Sequence, residues 1–266
     1  MPSPWLLSPV TSNISNVERV RPLLVGGASL ALGITGWWAL AEFGSIPAYV
    51  LPSPGEVIDR AVGLWNSGSL QLHTAQTLAE VGQGAAIGAV IGVVLAMVFF
   101  HVPWINRLLM PIIVVAQVTP KISIAPLIVL WIGLGIASKV TLVALVVFYP
   151  ILINMLARLQ SIPSNMRDLA KITGMGPIRR AFRIEFPFTF PAIAAGLKIG
   201  LLAGVTAAVI GEFIGATAGL GYLEKQGQDN DDIRLVMVTL ILLSLIGYLL
   251  WAVVGFIEKK ASRRYA

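Results

Sequence analysis

Long apolar runs are the feature that most constrains the fold of this chain. Six stretches are each long enough to cross the hydrocarbon core of a bilayer, which takes about 20 mainly apolar residues. Lipid cannot satisfy open backbone N–H and C=O groups, so each stretch has to be helical. The predicted spans cover residues 23–43, 81–100, 108–133, 140–159, 190–214 and 235–257. The sequence therefore predicts an all-α integral membrane protein with about six transmembrane helices.

Composition agrees with this prediction and sets the domain boundaries. Only 12% of the residues are charged, about half the share that a soluble domain carries. No polar linker divides the chain, so residues 23–258 are expected to form one transmembrane domain. A polar tail, residues 1–22, precedes it, and a basic tail, residues 259–266, follows it. The first apolar run is longer than a signal-peptide core, and we interpret it as a retained span.

Lysine and arginine set the predicted orientation. Placing the N-terminus in the cytoplasm puts most of the 19 basic residues on the inner side and most of the 13 acidic residues on the outer side. This is the distribution that the positive-inside rule describes. Both termini and the long loop over residues 160–189 are therefore predicted to be cytoplasmic.

The third run contains a charge and several helix breakers. Pro120 and two further prolines predict a broken helix, because proline lacks the N–H that continues a helix. Lys121 follows the predicted break, and an ionisable residue at this depth is a functional hypothesis by default. It either binds an anionic solute or forms a structural ion pair with Glu80 or Glu212. The residues assigned to a translocation path are Gln117, Thr119, Lys121 and Glu212.

Small residues recur every four positions in the fifth run. Such a stripe lets helices approach closely, and it can also line a path through the membrane. Both interpretations stay open from the sequence. Two histidines near span ends, His73 and His101, are interpreted as unremarkable interfacial residues. The stripe consists of Gly196, Gly200, Gly204 and Ala208.

The cytoplasmic loop is predicted to form two short helices around a glycine turn. Ser164 caps the first helix, and Gly174 ends it because glycine tolerates a left-handed backbone. Pro177 opens the second helix and Pro187 is expected to stop it. Ile178, Ala181 and Phe182 share one face of that helix, and this face either docks on a partner or packs on the chain's own spans. Arg179, Arg180 and Arg183 point elsewhere, toward lipid headgroups or toward a partner.

The loop resembles the cytoplasmic motif of permeases of bacterial ATP-binding-cassette importers. That motif reads Glu-Ala-Ala, three residues, Gly, nine residues, Ile, one residue, Leu-Pro. This chain has Asp168-Leu169-Ala170, Gly174, Ile184 and Phe186-Pro187 at the same spacing. Asp168, Leu169 and Phe186 depart from the motif, and all three departures are mild.

Other segments narrow the resemblance to the nitrate, sulfonate and taurine permease family. The stretch from Pro120 to Gly133 is similar to the third-span sequence of that family. Three shorter segments fit it as well, in the same order and in the same topological places. In one of them Ser53 is a plausible cap, with Pro54 at the first position of a short outer helix over residues 55–66. The shorter segments are Leu51-Pro52-Ser53-Pro54, Ala195-Gly196-Leu197-Lys198 and Gly219-Leu220-Gly221-Tyr222.

The resemblance implies a fold, partners and a role. It implies a methionine-permease-like type I importer fold in the bacterial cytoplasmic membrane, surrounded by lipid. A second permease copy or homologue, two cytoplasmic ATPase subunits and an extracytoplasmic solute-binding protein are the implied partners, with no nucleic acid. The solute would be small and anionic or heterocyclic, such as a sulfonate, nitrate, bicarbonate, or a vitamin or pyrimidine precursor. The implied ATPase-coupling residues are Asp168, Leu169, Ala170, Gly174, Ile178, Phe182, Ile184 and Pro187.

Several chemistries are absent from the sequence. It contains no Gly-x-x-x-x-Gly-Lys-Ser/Thr phosphate loop, so ATP and Mg²⁺ are expected on the partner ATPase subunits and no cofactor on this chain. It has no cysteine and no His-Glu-x-x-His pair, so no catalytic or metal site is expected. An ion-gradient-driven secondary carrier is the alternative function. Such carriers usually show internal repeats and membrane-embedded carboxylates, and we find no repeat here.

Overall fold

The computed structural model describes the backbone of residues 14–265 and the side chains of residues 25–260, apart from Arg167 and Lys171. Residues 1–13 of the predicted N-terminal tail and the last residue of the basic tail lie outside the described residues. Over the described part of the chain every regular element is a helix and none is a strand. The predicted all-α class is therefore confirmed.

Eleven helices follow one another along the described backbone, joined by short turns. They are α1 (Ile14–Phe43), α2 (Pro54–Asn66), α3 (Ser69–His101), α4 (Pro103–Val118), α5 (Lys121–Ile132), α6 (Ile136–Gln160), α7 (Ser164–Ile172), α8 (Pro177–Arg180), α9 (Phe186–Gly215), α10 (Leu220–Asp229) and α11 (Ile233–Tyr265). A π-helical turn, Ala181–Glu185, connects α8 to α9.

Four helices among the described residues are long and apolar enough to cross a membrane. They are α3, α6, the continuous helix Pro177–Gly215 and the Ile233–Lys260 part of α11. The α4–α5 pair makes a fifth span if it is counted as one broken helix, bent by 103°. Helix α1 covers the predicted first span.

The bend between α4 and α5 confirms the predicted break in the third run. It falls at Thr119, which takes an extended backbone with ψ of 129°, and at Pro120. A residue before proline avoids the helical region because it would clash with the proline ring. Pro111 and Pro126 lie inside α4 and α5 without ending either helix.

The chain divides into two units, residues 1–59 and residues 60–266. In the first unit a reciprocal pair of hydrogen bonds caps the start of α2. The Ser53 N–H donates to Glu56 Oε2 at 2.9 Å, and the Glu56 N–H donates to Ser53 Oγ at 3.3 Å. This capping box confirms Ser53 as the N-cap and Pro54 as the first helical residue.

Helix α6 forms the centre of the second unit, and glycines of α3 and α9 pack against it. A Cβ at Gly88 of α3 would lie 2.9 Å from Ala144 O and from Val147 Cβ. One at Gly196 of α9 would lie 2.7 Å from Ile151 Cα. The whole stripe of α9 is buried within this one chain, so it serves close helix packing rather than lining a path.

Pro187 does not stop a helix, contrary to the sequence prediction. The chain runs as one helix from Pro177 to Gly215, and the π-helical turn lies just before the proline. There the Phe186 N–H donates to Ala181 O, a wider i→i−5 hydrogen bond. Such a turn accommodates a proline inside a helix. Its wider backbone separates the proline ring from the carbonyl of the preceding turn, with which the ring would otherwise clash.

Candidate functional site

The first candidate site is the coupling segment, residues 160–189, which contains α7, α8 and the turn between them. Gly174 has φ of 62°, in the left-handed region. The Met175 N–H donates to Ala170 O at 3.0 Å, which is the closing hydrogen bond of a Schellman-type helix end. A Cβ at Gly174 would meet nothing within 4 Å. Within this chain, therefore, the backbone conformation favours glycine and steric crowding plays no part.

The coupling segment presents apolar side chains that the rest of the chain does not cover. Ile178 is 77% exposed and Phe182 is 71% exposed, with the Phe182 ring stacked at 6.5 Å on Phe186. Leu169 and Ile172 of α7 are exposed as well. Apart from the Phe182–Phe186 contact, the chain leaves most of the Ile178 and Phe182 side chains uncovered. A cluster of large exposed apolar side chains at the start of a helix is a candidate interaction surface.

The predicted coupling residues divide into an exposed group and an anchoring group. Ala170 is buried, while Ile184 and Pro187 are half-buried, so these three fix the segment to its own chain. The exposed members are Asp168, Leu169, Gly174, Ile178 and Phe182.

A buried ionic cluster holds the coupling segment to the end of α3. Glu185 is buried, and its Oε1 lies 2.8 Å from Arg180 Nε and 3.3 Å from His101 Nε2. Arg180 Nη2 lies 2.8 Å from the same His101 nitrogen. Arg180 is thus held by contacts within its own chain, with its side chain 34% exposed, and His101 takes part in this cluster rather than being an unremarkable interfacial residue. Arg179 and Arg183 remain exposed.

The second candidate site is the break between α4 and α5, where three of the four predicted path residues meet. The Lys121 ammonium donates to Gln117 O and, at 3.3 Å, to Thr119 O. Gln117 Nε2 donates to Leu145 O of α6 at 3.1 Å. Lys121 therefore satisfies carbonyls at the end of α4, where a cation is also favoured by the helix dipole. Among the described ion pairs, none joins Lys121 to Glu80 or Glu212.

A small cavity lies beside this break. Its volume is about 170 Å³, and Gln117 and Lys121 are its polar lining residues. The rest of the wall is apolar, with Ile124 of α5 and Leu142 and Phe148 of α6 among its members. The cavity thus brings together two of the four predicted path residues, Gln117 and Lys121.

Glu212, the fourth predicted path residue, lies in a different place. It is 1% exposed, and its carboxyl holds the start of α10. The Thr77 hydroxyl donates to Glu212 Oε1 at 2.7 Å, and the Gly221 N–H donates to Glu212 Oε2 at 2.5 Å. The Leu220 N–H donates to Thr77 Oγ1 at 2.8 Å. The first N–H groups of a helix have no partner inside it, and Glu212 with Thr77 supplies two of these partners.

Sequence reasoning missed the rest of this buried polar cluster. The Gly219 N–H donates to His73 Nδ1 at 2.9 Å, and the His73 ring stacks on Tyr222 with centroids 5.6 Å apart. Glu80 is fully buried beside them and accepts from Gln76 Nε2 at 2.8 Å. His73, Thr77 and Glu80 recur at i, i+4 and i+7, so they share one face of α3. This polar stripe on α3 was the sequence signal from which the buried cluster could have been predicted.

These features define a class of protein. The chain is an all-α membrane protein with several membrane-length helices and a segment, residues 160–189, that carries exposed apolar side chains. The comparisons with known proteins give the particular family. Residues 88–265 match the family described as binding-protein-dependent transport system inner membrane component, and the chain belongs to it.

Curated relatives agree over most of the chain. A riboflavin transport system permease protein, RibX of Chloroflexus aurantiacus, is 33% identical over 251 residues, covering 94% of each chain. A probable ABC transporter permease protein of Haemophilus influenzae is 32% identical, covering 88% of this chain and 94% of the relative. The formylaminopyrimidine transport permease protein ThiX of Halalkalibacterium halodurans is 33% identical, covering 79% and 84%.

A solved structure supports the fold. A chain of the MetNI methionine ABC transporter, in an inward-facing conformation, matches with a TM-score of 0.62 at 20% identity, covering 70% of this chain and 93% of that chain. The chain therefore has the methionine-permease-like type I importer fold. It is the permease subunit of an ABC importer, a transport component rather than an enzyme. This assignment sets aside the ion-gradient-driven carrier.

Proposed function

We propose that this chain, with a second copy of itself, forms the path of an ATP-driven importer for a small solute in the bacterial cytoplasmic membrane. ATP and Mg²⁺ bind to two separate ATPase subunits, and the coupling segment docks on them. The observation that carries this proposal is the exposed apolar surface around Ile178 and Phe182. This surface lies between Gly174 and Ile184 of the family motif, at the beginning of the continuous helix Pro177–Gly215.

The continuous helix from Pro177 to Gly215 supports a direct mechanical role. It has 39 residues, which correspond to about 58 Å at 1.5 Å per residue. The exposed coupling surface lies at its beginning, and Glu212 lies at its far end against the start of α10. A displacement that ATP binding imposes on Phe182 therefore reaches the opposite end of a span without passing through a flexible loop. Rigid elements of this kind carry domain-scale transitions.

The remaining partners and the orientation follow from the same proposal. Both termini and the coupling segment face the cytoplasm, because the basic residues concentrate on that side. A solute-binding protein delivers the solute on the outer side, membrane lipid surrounds the spans, and no nucleic acid takes part. The short helices α2 and α10 are assigned to the outer side of the membrane by the same charge distribution.

The solute is proposed to be small and either anionic or heterocyclic. Two relatives are named for heterocycles, riboflavin and formylaminopyrimidine. Others are named for aliphatic sulfonates and for taurine. We assign to the path the cavity at the α4–α5 break, which Gln117 and Lys121 line, together with the neighbouring Thr119.

Reconstitution tests this function. The purified chain alone is expected to hydrolyse no ATP, because its sequence has no phosphate loop. ATP-dependent uptake into vesicles should appear when the ATPase subunits and the binding protein of the same organism are added. ATP turnover by the isolated chain, or uptake that follows an ion gradient without the ATPase, would contradict the proposal.

A further inference from the structure

Helices α9, α10 and α11 line a second and larger cavity, which is open toward the surface of the chain. Its volume is about 340 Å³, which is within the range of small-molecule sites. Most of its wall is aliphatic, with Leu202 and Val205 of α9 and Leu243 of α11. The polar groups that reach it are Glu224, Thr206 and Ser244.

Glu224 is the charged residue in this wall, and its carboxyl is poorly satisfied within the chain. The residue is 8% exposed. Its hydrogen-bond partner among the described residues is Gln228 Nε2 at 3.5 Å, at the limit of a hydrogen bond. Burial raises the pKa of the Glu224 carboxyl. The Glu224 oxygens are not among the buried unpaired side-chain atoms of the described residues, so the carboxyl stays accessible from the cavity and can accept a hydrogen bond from an occupant.

The two hydroxyls leave acceptor capacity on the same wall. Ser244 Oγ donates to Leu240 O of its own helix at 2.8 Å, so its lone pairs remain available to the cavity. No lysine or arginine belongs to the described lining. The wall therefore accepts hydrogen bonds and offers no positive charge, which suits N–H donors and opposes anions.

The other cavity does not change this conclusion. Lys121 could attract an anion in principle, but its ammonium already donates to two backbone carbonyls. The cavity that it lines is half the size, at about 170 Å³. In the lining of the α9–α11 cavity the charged group is the carboxyl of Glu224.

We propose that the α9–α11 cavity is a solute contact site, and that its solute is a heterocycle whose N–H groups donate to Glu224. This inference rests on the proposed function and narrows its solute class. The apolar wall takes the ring, and Glu224 with the hydroxyl oxygens takes its donor edge. Sulfonates and nitrate are disfavoured, because a buried carboxyl repels them and no cation offsets the repulsion.

The test has two parts, and the first identifies the solute. Mass spectrometry of the molecule released from the binding protein of the same organism should show a ring with N–H donors. A sulfonate, nitrate or another anion without such donors would overturn the inference.

The second part measures uptake of that released molecule by the complete complex in vesicles. We expect kcat/KM to fall in the order wild type, Glu224→Gln, Glu224→Leu, with a loss of about tenfold or more for the leucine variant, since a hydrogen bond to a charged group is removed. Asp229→Asn is the control, because it changes an exposed carboxyl of the same helix. Uptake is normalised to the amount of assembled complex.

Each other outcome is decisive. Uptake that is unchanged or faster in Glu224→Leu contradicts a contact between Glu224 and an N–H donor. A loss of permease dimers in Glu224→Leu would show that a second copy fills the cavity, and this too overturns the inference. If the wild-type complex shows no ATP-dependent uptake at all, the proposed function itself fails, which separates the two claims.

Discussion

Thr77→Val tests the buried polar cluster that joins α3, α9 and α10. The substitution keeps the size and shape of the side chain and removes one hydroxyl. That hydroxyl donates to Glu212 Oε1 at 2.7 Å and accepts from the Leu220 N–H at 2.8 Å. Thr77 is fully buried, so water does not replace either bond.

The magnitude follows from those two bonds. Leaving a buried polar group without a partner costs about 1–3 kcal/mol, and two groups lose a partner here. Interhelical hydrogen bonds within membranes average about 0.6 kcal/mol, because the unfolded chain in lipid also finds partners. In the folded variant, the start of α10 and the Glu212 carboxyl are held in place and cannot find other hydrogen-bond partners. We therefore expect a loss of about 2–4 kcal/mol in the free energy of unfolding.

The assay is unfolding of the purified protein in mixed micelles by increasing SDS, followed by circular dichroism. Thr239→Val is the matched control, because Thr239 is equally buried but its hydroxyl only donates to the carbonyls of Leu235 and Val236 in its own helix. It should cost less than about 1 kcal/mol. Equal unfolding free energies for the two variants would refute the role of Thr77 in holding α10.

Three further predictions concern topology, the helix break and the glycine turn. Because the chain has no native cysteine, single cysteines at Ser164 and Asn230 should be labelled from opposite sides of the membrane; labelling from one side contradicts the orientation. Lys121→Met should lower the free energy of unfolding by about 1 kcal/mol, because the carbonyl cap at the α4–α5 break is lost, and it should reduce solute uptake. If neither the unfolding free energy nor the uptake changes, Lys121 has no role in the break or in the path. Gly174→Val should weaken ATPase docking, because valine at positive φ costs about 1–3 kcal/mol. Gly174→Asn should keep ATPase docking, because asparagine tolerates this backbone conformation. Equal docking by both variants would be evidence against the turn argument.

The sequence predicts the helical class and the local breaks, caps and turns of the chain well; six spans were predicted, and the described helices provide four of membrane length, or five with the α4–α5 pair. Long apolar runs leave the backbone only the helix in lipid. The break at Pro120, the cap at Ser53 and the positive φ at Gly174 depend on residues within four positions of one another. Local stereochemistry decides such features, and each was predicted correctly.

The sequence does not predict contacts between distant segments. Thr77 meets Glu212 across 135 positions, and His73 meets Gly219 across 146 positions. No local pattern connects these residues, so Glu212 was assigned to the path and His73 to the interface. Arg180 was placed toward lipid headgroups or a partner; its contact with Glu185 spans only five positions, but His101, the third member of the cluster, is 79 positions away.

Pro187 shows a different limit. Proline usually ends a helix, and the prediction followed that rule. A single π-helical turn before Pro187 relieves the clash and lets the helix continue. The propensity of one residue cannot reveal this, because packing of the flanking segments decides whether the wider turn forms.

The central claim is that the exposed face of the coupling segment joins this permease to its ATPase. Phe182→Ala and Phe256→Ala test it most directly, since both rings are 71% exposed and Phe256 of α11 lies outside the coupling segment. If Phe182 is an anchor of the interface, its loss should cost about 2–4 kcal/mol of ATPase binding, and ATP-driven uptake should fall with it. Phe256→Ala should retain ATPase co-purification and uptake at wild-type levels. Full ATPase binding and full uptake by Phe182→Ala would contradict the claim.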